Sequence, residues 1–262
     1  MPIITLTTDW SHRDYYLGAL KGRLLSICKD VNLVDLSQNL DKHNISQTAF
    51  SLKNTYHHFP KETIHLVCVN SEETPEHPTV AIQYHGQYFI GADNGVFSLI
   101  MKEGADAIVR IENIIREPEY HTFPEINIFA KAAAYITEYQ TIEGLGTPLT
   151  ELYKLVPIRC VVQKGTITGQ VIYLDSHGNV TTNISKELFE SARQDRNFEI
   201  FVQSIRYCIT TINKNYYDTS EGEILAIFNA SGLLEIAINK GKLGELTHID
   251  INADIRIKFH DN

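Results

Sequence analysis

Three absences in the sequence narrow the class of protein before any motif is considered. The 262-residue chain has no run of basic residues and a formal net charge of −9, which argues against a nucleic-acid backbone as partner. No apolar stretch is long enough to cross a bilayer, and the first residues lack the basic and apolar segments of a signal peptide. We therefore expect a cytoplasmic protein that binds neither nucleic acid nor membrane.

Cysteine is scarce, which bears on metal binding. The chain has four, Cys28, Cys68, Cys160 and Cys208, and they are widely spaced, whereas a zinc site requires paired spacings. Their apolar or strand-like surroundings indicate small core residues in a reducing compartment. The sequence therefore predicts no metal site.

The first half of the chain also lacks the Gly-x-Gly-x-x-Gly motif of dinucleotide-binding proteins. Its strands nevertheless alternate with helices, as in a Rossmann-like sheet. Residues 3–8 form a β-branched, apolar run that predicts a buried strand, and a helical pattern begins at residue 15. Residues 63–69 form a continuous apolar run, which is typical of a central parallel strand.

The pattern changes near residues 144–148. Beyond them, short strand-like runs separated by turns predict a small β-barrel or sandwich. We therefore expect two domains: a Rossmann-like α/β/α domain over residues 1–155 and a smaller β-barrel domain over residues 156–262. A composition of 43% hydrophobic and 21% charged residues is typical of a soluble globular protein.

Polar residues follow the predicted strands in both halves. Asp9 comes directly after the first strand, where open α/β sheets bind ligands, and its carboxylate can accept both hydrogen bonds of a ribose diol. Either Asp9 or Asp14 could instead be the N-cap of the helix that follows. Residues 70–77, 175–179 and 229–232 are polar segments of the same kind, although Asp, Asn, Ser and Gly are also the usual turn residues.

Taken together and in chain order, these segments resemble one family, the S-adenosylmethionine hydroxide adenosyltransferases, which also contains the fluorinases and chlorinases. The matching segments are Thr7-Thr8-Asp9 with Asp14; Gly18-Ala19-Leu20-Lys21-Gly22; Val34-Asp35-Leu36-Ser37; Phe59-Pro60 with Thr63-Ile64-His65; Asp93-Asn94-Gly95; Ile128-Phe129-Ala130 with Ala132-Ala133-Ala134; Asp175 with Gly178-Asn179 and Thr182-Asn183-Ile184; and Asn229 with Ser231-Gly232 and Leu234-Glu235-Ile236-Ala237. The resemblance runs nearly from end to end.

The resemblance implies an α/β domain, a β-barrel and a homotrimer. The ligand would lie between the N-terminal domain of one subunit and the C-terminal domain of the next. The implied reaction is displacement at the ribose C5′ of S-adenosylmethionine by water, which gives adenosine and methionine. No cofactor is implied beyond S-adenosylmethionine itself, as substrate or ligand.

The resemblance also implies roles for five residues. Asp9 is expected to accept the ribose hydroxyls, and Asn179 is expected to contact the adenine. Asp175 and Ser231 are expected to contact the amino group of the methionine part. Trp10 follows Asp9 where the family usually has Phe, so we expect an apolar wall of the site, with a half-buried core aromatic as the alternative.

The departures from the family lie where the reaction should occur. Family hydrolases use an Asp, an Arg and a His around the nucleophilic water. Asn70 stands at the position of the Asp, His77 or Pro78 at that of the Arg, and Pro124 at that of the His. Asn70 cannot accept a proton as a carboxylate does, and Pro124 has no polar side-chain atom. We therefore expect hydrolysis to be slow or absent compared with family members that keep the three groups.

Two functions remain open from the sequence. The first is a hydrolase with a rebuilt nucleophile pocket, and the second is a protein that binds S-adenosylmethionine or adenosine without turnover. A halogenase is a third option, against which acidic residues 72 and 73 count because they would repel an anion. Glu72, Glu73, His77, His121 or Glu125 could supply a base. His77 is the first to test, because imidazole titrates near neutral pH, although an exposed loop histidine is the alternative.

Overall fold

The computed structural model describes residues 1–202 and 204–260, and the chain divides into two compact units, Met1–Val156 and Pro157–Asn262. We call them the α/β unit and the barrel unit. The boundary predicted after residue 155 lies one residue before this division. Each unit has its own hydrophobic core.

The α/β unit contains one seven-stranded sheet and four helices. Its strands are β1 (Ile3–Thr8), β2 (Asn32–Ser37), β3 (Ile64–Cys68), β4 (Thr79–Tyr84), β5 (Gln87–Ala92), β6 (Ala107–Ile111) and β7 (Gly146–Pro148), and its helices are α1 (Tyr15–Ile27), α2 (Ile45–Lys53), α3 (Val96–Ile100) and α4 (Ala130–Tyr139). The strand order is β2-β1-β3-β5-β4-β6-β7. The predicted α/β architecture is confirmed.

The sheet is mixed rather than wholly parallel. Strands β2, β1, β3 and β5 run parallel to their neighbours, and β4 then pairs antiparallel with β5. The reversal follows from the tight turn at His85-Gly86, where both residues have positive φ values of 52° and 77°. Such a turn joins antiparallel strands, whereas a parallel pair needs a longer crossover.

Helices cover both faces of this sheet. Along β3, Ile64 and Leu66 pack in the core layer under α1 and α4, whereas Val67 packs in the layer under α2 and α3. This alternation follows from the two-residue period of a strand. A strand that is buried on both faces must be apolar throughout, which explains the continuous apolar run at residues 63–69.

The core of the α/β unit also contains a histidine. His65 is fully buried in β3, with Nδ1 2.7 Å from Thr5 Oγ1 and Nε2 3.3 Å from Gln87 Oε1. Its ring stacks on Phe89 at a centroid distance of 4.7 Å. Burial lowers the pKa of His65 to about 4, although the hydrogen bond with Gln87 acts in the opposite direction. The imidazole is therefore neutral near pH 7.

Among its described residues, the barrel unit contains eight strands and two α-helices. The strands are β8 (Val161–Gln163), β9 (Thr166–Leu174), β10 (Val180–Ser185), β11 (Asn197–Val202), β12 (Ser204–Ile209), β13 (Ile224–Phe228), β14 (Leu233–Ile238) and β15 (Asp254–His260), and the helices are α5 (Lys186–Arg193) and α6 (Leu243–Thr247). The order is β12-β11-β15-β9-β10-β14-β13, with β8 on β9. The end strands β12 and β13 contact each other, so the sheet is nearly closed and the predicted barrel is confirmed.

Helix α5 lies in a region where the sequence pattern predicts only strands and turns. Its N-terminus is capped by Ser185 Oγ, which accepts a hydrogen bond from Leu188 N at 3.1 Å. Phe189 is its one fully buried side chain, and it packs against Phe198 and Phe259 of the barrel core. The helix is anchored on the barrel core by this aromatic contact.

The cysteines differ in their surroundings. Cys28 and Cys68 are buried, Cys160 is half-buried and Cys208 is exposed. The prediction of core positions is therefore wrong for Cys208, which lies on β12 opposite Phe201 of β11. Within residues 1–202 and 204–260, no helix combines the length and the apolar character that crossing a membrane would require.

Candidate functional site

Asp9 lies at the carboxyl end of β1, next to the carboxyl end of β3. Thr8 is paired with Cys68, and Asp9 N donates to Cys68 O at 3.2 Å. Asp9 Oδ2 accepts a hydrogen bond from Asn70 N at 2.9 Å. The carboxylate therefore joins the ends of two neighbouring strands.

Asp14 occupies the N-cap position of α1, but its carboxylate serves the preceding turn. Asp14 Oδ2 accepts a hydrogen bond from Ser11 N at 2.9 Å, and Asp14 N donates to Ser11 O at 3.0 Å. The two acidic residues thus differ. Asp14 closes a local turn of four residues, whereas Asp9 bonds to a segment 61 residues away in the sequence.

Asn70 contributes its backbone to this strand end. It has a φ of 44°, a left-handed conformation that Asn tolerates better than most residues. Its N–H donates to Asp9, and its carbonyl oxygen accepts a hydrogen bond from Asn94 Nδ2 at 3.1 Å. The same Asn94 amide donates to Val69 O at 3.1 Å. Asn94, itself buried, therefore holds the segment after β3 in place.

Asp9 and Asp14 border a cleft of about 930 Å³ in the α/β unit. The volume lies in the range of small-molecule sites. The lining comes from four parts of the chain: some of residues 9–16, Lys42, residues 71–73 and most of residues 116–128. Of the five residues expected to bind the ligand, Asp9 and Trp10 lie here, and both are half-buried.

One wall of the cleft is aromatic. The ring of Trp10 lies 5.7 Å from those of Tyr16 and Phe123, and Tyr16 lies 5.5 Å from Phe123. Trp10 also packs against the core layer under α1 and α4. The two interpretations of Trp10 as a wall and as a half-buried aromatic therefore describe the same side chain.

The charges of the cleft are unbalanced. Among the described residues that line it, six carry carboxylates and two carry a permanent positive charge: Asp9, Asp14, Glu72, Glu73, Glu117 and Glu125 against Lys42 and Arg116. Two of the six are paired. Glu73 forms a bidentate pair with Arg116 at 2.6 and 3.2 Å, and Glu117 lies 2.5 Å from Arg23 and 2.9 Å from Lys131.

Glu125 is buried at the cleft wall, with 3% of its surface exposed. It opens a π-helical turn, Glu125–Phe129, that leads into α4, and such turns are frequent at functional sites. Its Oε1 accepts a short hydrogen bond from Ser71 Oγ. Burial raises the pKa of Glu125 and the Asp9 carboxylate raises it further, whereas the hydrogen bond from Ser71 lowers it.

Burial also raises the pKa of Asp9 above its ordinary value. The hydrogen bond from Asn70 N and the charge of Lys42 act in the opposite direction. Two carboxyl groups with raised pKa values therefore face the same cleft. Residues whose pKa values are displaced by burial and by neighbouring charges cluster at functional sites.

The residues that stand where family hydrolases carry an Asp, an Arg and a His do not all line the cleft. Pro124 lines the cleft directly before Glu125, whereas Asn70 and His77 do not line it. His77 Nδ1 lies 2.9 Å from the backbone oxygen of Asp93, and its ring meets the edge of Tyr153 at 4.6 Å. These contacts hold the loop that carries His77.

In the barrel unit, Asp175 and Asn179 close a single turn between β9 and β10. Asp175 Oδ1 accepts hydrogen bonds from His177 N at 2.9 Å and Asn179 N at 2.8 Å, and Oδ2 accepts one from Asn179 Nδ2 at 3.0 Å. Gly178 supplies the left-handed residue of this turn, with a φ of 80°. Three of the acceptor sites of Asp175 are therefore occupied from within the turn.

Ser231 is exposed at the tip of the turn between β13 and β14. Its N–H donates to Asn229 Oδ1 at 3.0 Å, and Asn229 Nδ2 donates to the buried Glu235 at 3.0 Å. Glu235 also accepts a hydrogen bond from the Tyr216 hydroxyl at 2.6 Å, and burial together with this contact raises the pKa of Tyr216. The network fixes the backbone that presents Ser231.

Sequence reasoning missed one arrangement in the α/β unit, the contact between Ser71 and Glu125. The two residues are 54 positions apart, so no spacing in the sequence brings them together. As for metals, no cluster of three or more His, Cys, Asp or Glu side chains suited to an ion occurs among residues 1–202 and 204–260.

Two family models match this chain. The model of the SAM hydroxide adenosyltransferase N-terminal domain matches residues 4–146, and that of the C-terminal domain matches residues 169–256. Together the two matches cover most of the chain and fall within the two units of the structure.

Individual proteins are similar over nearly their whole length. The (R)-S-adenosyl-L-methionine hydrolase of Methanocaldococcus jannaschii is 26% identical, with 99% of this chain and 97% of that protein covered. A fluorinase of Actinopolyspora mzabensis is 22% identical, with 98% and 97% covered. The crystal structure of an uncharacterized conserved protein from Thermotoga maritima superposes with a TM-score of 0.87 at 27% identity, covering 97% of this chain and 99% of that one.

Proposed function

Because the chain belongs to the S-adenosylmethionine hydroxide adenosyltransferase family, we propose that it is an enzyme acting on S-adenosylmethionine. In the proposed reaction, water displaces methionine from the ribose C5′ and adenosine is formed. The observation that carries the proposal is the half-buried Asp9 carboxylate at the end of β1, facing a cleft of about 930 Å³. The names of the hydrolase relatives support the same reaction class.

Asp9 is the proposed acceptor for the two ribose hydroxyls. An ionised carboxylate offers about four acceptor sites, and Asn70 N occupies one of them at 2.9 Å. Hydrogen bonds to an ionised group are about twice as strong as those between neutral groups. The aromatic wall of Trp10, Tyr16 and Phe123 would shield the apolar faces of the bound nucleoside from water.

The charge of the cleft supports a cationic substrate. S-adenosylmethionine carries a positive sulfonium. The six lining carboxylates outnumber the two lining cations and the two cations that bind Glu117 together, so the potential of the cleft is negative. The same potential opposes a halide ion as nucleophile, which favours water over the halogenase option. The sulfonium is already a good leaving group, so the main tasks of the protein are to orient the water and to desolvate it.

Asp175 and Ser231 are the proposed contacts of the methionine amino group, and Asn179 is the proposed contact of the adenine. In the assembly that the family implies, they would belong to the neighbouring copy of a homotrimer. Light scattering should then give a mass near three times the 29.7 kDa of the chain. A monomer at micromolar concentration would count against the roles proposed for these three residues.

The alternative is a protein that binds S-adenosylmethionine or adenosine without turnover. It is favoured by Asn70 and Pro124, which supply no proton acceptor where the family hydrolases have an Asp and a His. Incubation with S-adenosylmethionine of both sulfur configurations, followed by chromatography, tests the proposal. Equimolar adenosine and methionine are expected, whereas calorimetric binding with no product would establish the alternative.

A further inference from the structure

The contact between Ser71 and Glu125 brings a buried carboxyl group to the wall of the cleft. Ser71 follows the end of β3, and Glu125 opens the turn that leads into α4. The Ser71 hydroxyl donates to Glu125 Oε1, and both residues line the cleft although Glu125 is only 3% exposed. A buried carboxyl that faces a cleft is costly to ionise unless a donor supports it, and Ser71 is such a donor.

This pair is connected to the proposed ribose acceptor through one peptide unit. Asn70 N donates to Asp9 Oδ2 at 2.9 Å, and Ser71 is the next residue in the chain. Asn94 Nδ2 holds the carbonyl oxygens of Val69 and Asn70 at 3.1 Å each. These bonds fix the backbone that leads to Ser71 relative to Asp9, so a nucleoside held by Asp9 would have the pair at a defined place beside it.

The other groups that could act as a base are engaged or exposed. His77 does not line the cleft, and its Nδ1 lies 2.9 Å from Asp93 O. His121 is exposed, with Nδ1 3.0 Å from Pro118 O. Glu73 is bound by the guanidinium of Arg116 through two hydrogen bonds. Glu72 is exposed to solvent, where it cannot help to desolvate a nucleophile.

From this geometry we infer that Glu125 is the general base of the reaction and that Ser71 positions it. The inference rests on the proposed function and names the group that the sequence left open. The water oxygen forms a bond to C5′ while the C5′–S bond breaks. The electron pair of the C5′–S bond passes to sulfur, which gives neutral methionine. The water proton moves to the Glu125 carboxylate and is then released to solvent, so adenosine, methionine and one proton leave.

The environment of Glu125 suits this role. Burial raises the pKa of its carboxyl group, and the nearby Asp9 charge raises it further. A base is most effective when its pKa approaches the working pH while the group stays ionised. The hydrogen bond from Ser71 acts in the opposite direction and lowers the pKa of Glu125.

The test compares Glu125→Gln with the wild type and with a matched control, Glu119→Gln. Glu119 is exposed on the same segment and does not line the cleft. Glu125→Gln should lower single-turnover release of adenosine by roughly 10²- to 10⁴-fold. Adenosine binding, measured by calorimetry, should change by less than about threefold, because the base acts in the reaction rather than in ground-state binding. Glu119→Gln should match the wild type in both.

A second variant keeps the test decisive if Glu125→Gln does not fold. Ser71→Ala removes a hydrogen bond to the ionised carboxylate, so the pKa of Glu125 should rise. The ascending limb of the rate against pH should move to higher pH, whereas a purely structural role of Ser71 would lower the rate at all pH values alike. An unshifted limb would overturn the assignment.

Two further outcomes separate this inference from the proposed function. If the wild type turns over S-adenosylmethionine and the rate of Glu125→Gln stays within about threefold of the wild-type rate, only the role of Glu125 is overturned. Adenosine binding by the wild type without any turnover would overturn the proposed reaction, and the base with it.

Discussion

Asp9 in the α/β unit and Asp175 in the barrel unit are both strand-end aspartates, yet their surroundings differ. Asp9 Oδ2 accepts a hydrogen bond from Asn70, 61 residues away, and the side chain faces a cleft. Asp175 accepts three hydrogen bonds from His177 and Asn179 within its own turn. The turn alone accounts for the presence of Asp175, whereas Asp9 has no such local explanation.

The difference shows how a polar residue at a strand end can be assigned to a local turn or to a ligand site. At the Asp175 turn of the barrel unit, the usual turn chemistry of Asp, Asn and Gly is sufficient, and a ligand would use the acceptor capacity that the turn leaves. In the α/β unit, polar groups are buried at long-range contacts, and their pKa values are displaced. We therefore expect ligand binding and pH sensitivity to depend mainly on the α/β unit.

The largest expected effect concerns the buried His65. Its pKa is lowered from 6.5 to about 4 in the folded chain, so between these pH values the unfolded chain binds more protons than the folded one. The contribution of His65 to the free energy of unfolding is therefore fully present above about pH 6.5. It falls as the pH drops towards 4, by roughly 3 kcal/mol. Urea unfolding at several pH values between 7 and 4 measures this loss.

The control for that measurement is a pair of variants. His65→Gln should reduce the slope of unfolding free energy against pH in this window, because the titrating group is gone. His58→Gln should leave the slope unchanged, because the His58 side chain is exposed. Equal slopes in wild type and His65→Gln would show that acid acts through other groups, and the contrast between the two units would be weakened.

The next effect concerns adenosine binding by Asp9. Asp9→Asn removes a charge-assisted acceptor, and such a loss costs roughly 1.5–3 kcal/mol. Calorimetry should therefore show binding about 10- to 150-fold weaker. Asn keeps an oxygen that can accept from Asn70 N, so the strand ends should stay joined and the thermal unfolding midpoint should change little.

Two further variants sharpen the comparison. Asp14→Asn should weaken adenosine binding less, because Asp14 bonds to Ser11 N in its own turn. Asp175→Asn should weaken the binding of S-adenosylmethionine more than that of adenosine, because adenosine lacks the methionine amino group assigned to Asp175. If Asp9→Asn and Asp14→Asn had equal effects, the role of Asp9 would be limited to joining the ends of β1 and β3. If neither adenosine nor S-adenosylmethionine bound to the folded wild type, the whole ligand proposal would fail.

Much of the fold follows from local patterns. The continuous apolar run of β3 predicts a strand buried on both faces, and His85-Gly86 predicts a hairpin turn. Helix α5 was not predictable in this way, because its only fully buried side chain is Phe189. Such a helix depends on a cap at Ser185 and on aromatic contacts that exist only after the barrel has formed.

The position of Asp9 in the candidate site was predictable from the sequence, whereas the group proposed as the base was not. Asp9 follows a strand, which is a local signal, and its place at the cleft agrees with the interpretation from sequence. His77 is predicted from its place at the family's Arg position and from imidazole chemistry, but the structure places it beside Asp93 and Tyr153, outside the cleft lining. The Ser71–Glu125 contact depends on the meeting of two segments 54 residues apart, so only the fold reveals it.

The most direct test of the proposed reaction is turnover of S-adenosylmethionine in water enriched in oxygen-18, with both sulfur configurations supplied. Displacement at C5′ by water predicts adenosine and methionine in equal amounts, with the label in the 5′-hydroxyl of adenosine. Adenosine without the label would contradict water as the nucleophile. Calorimetric binding of adenosine with no product from either configuration would contradict the enzyme and leave a binding protein.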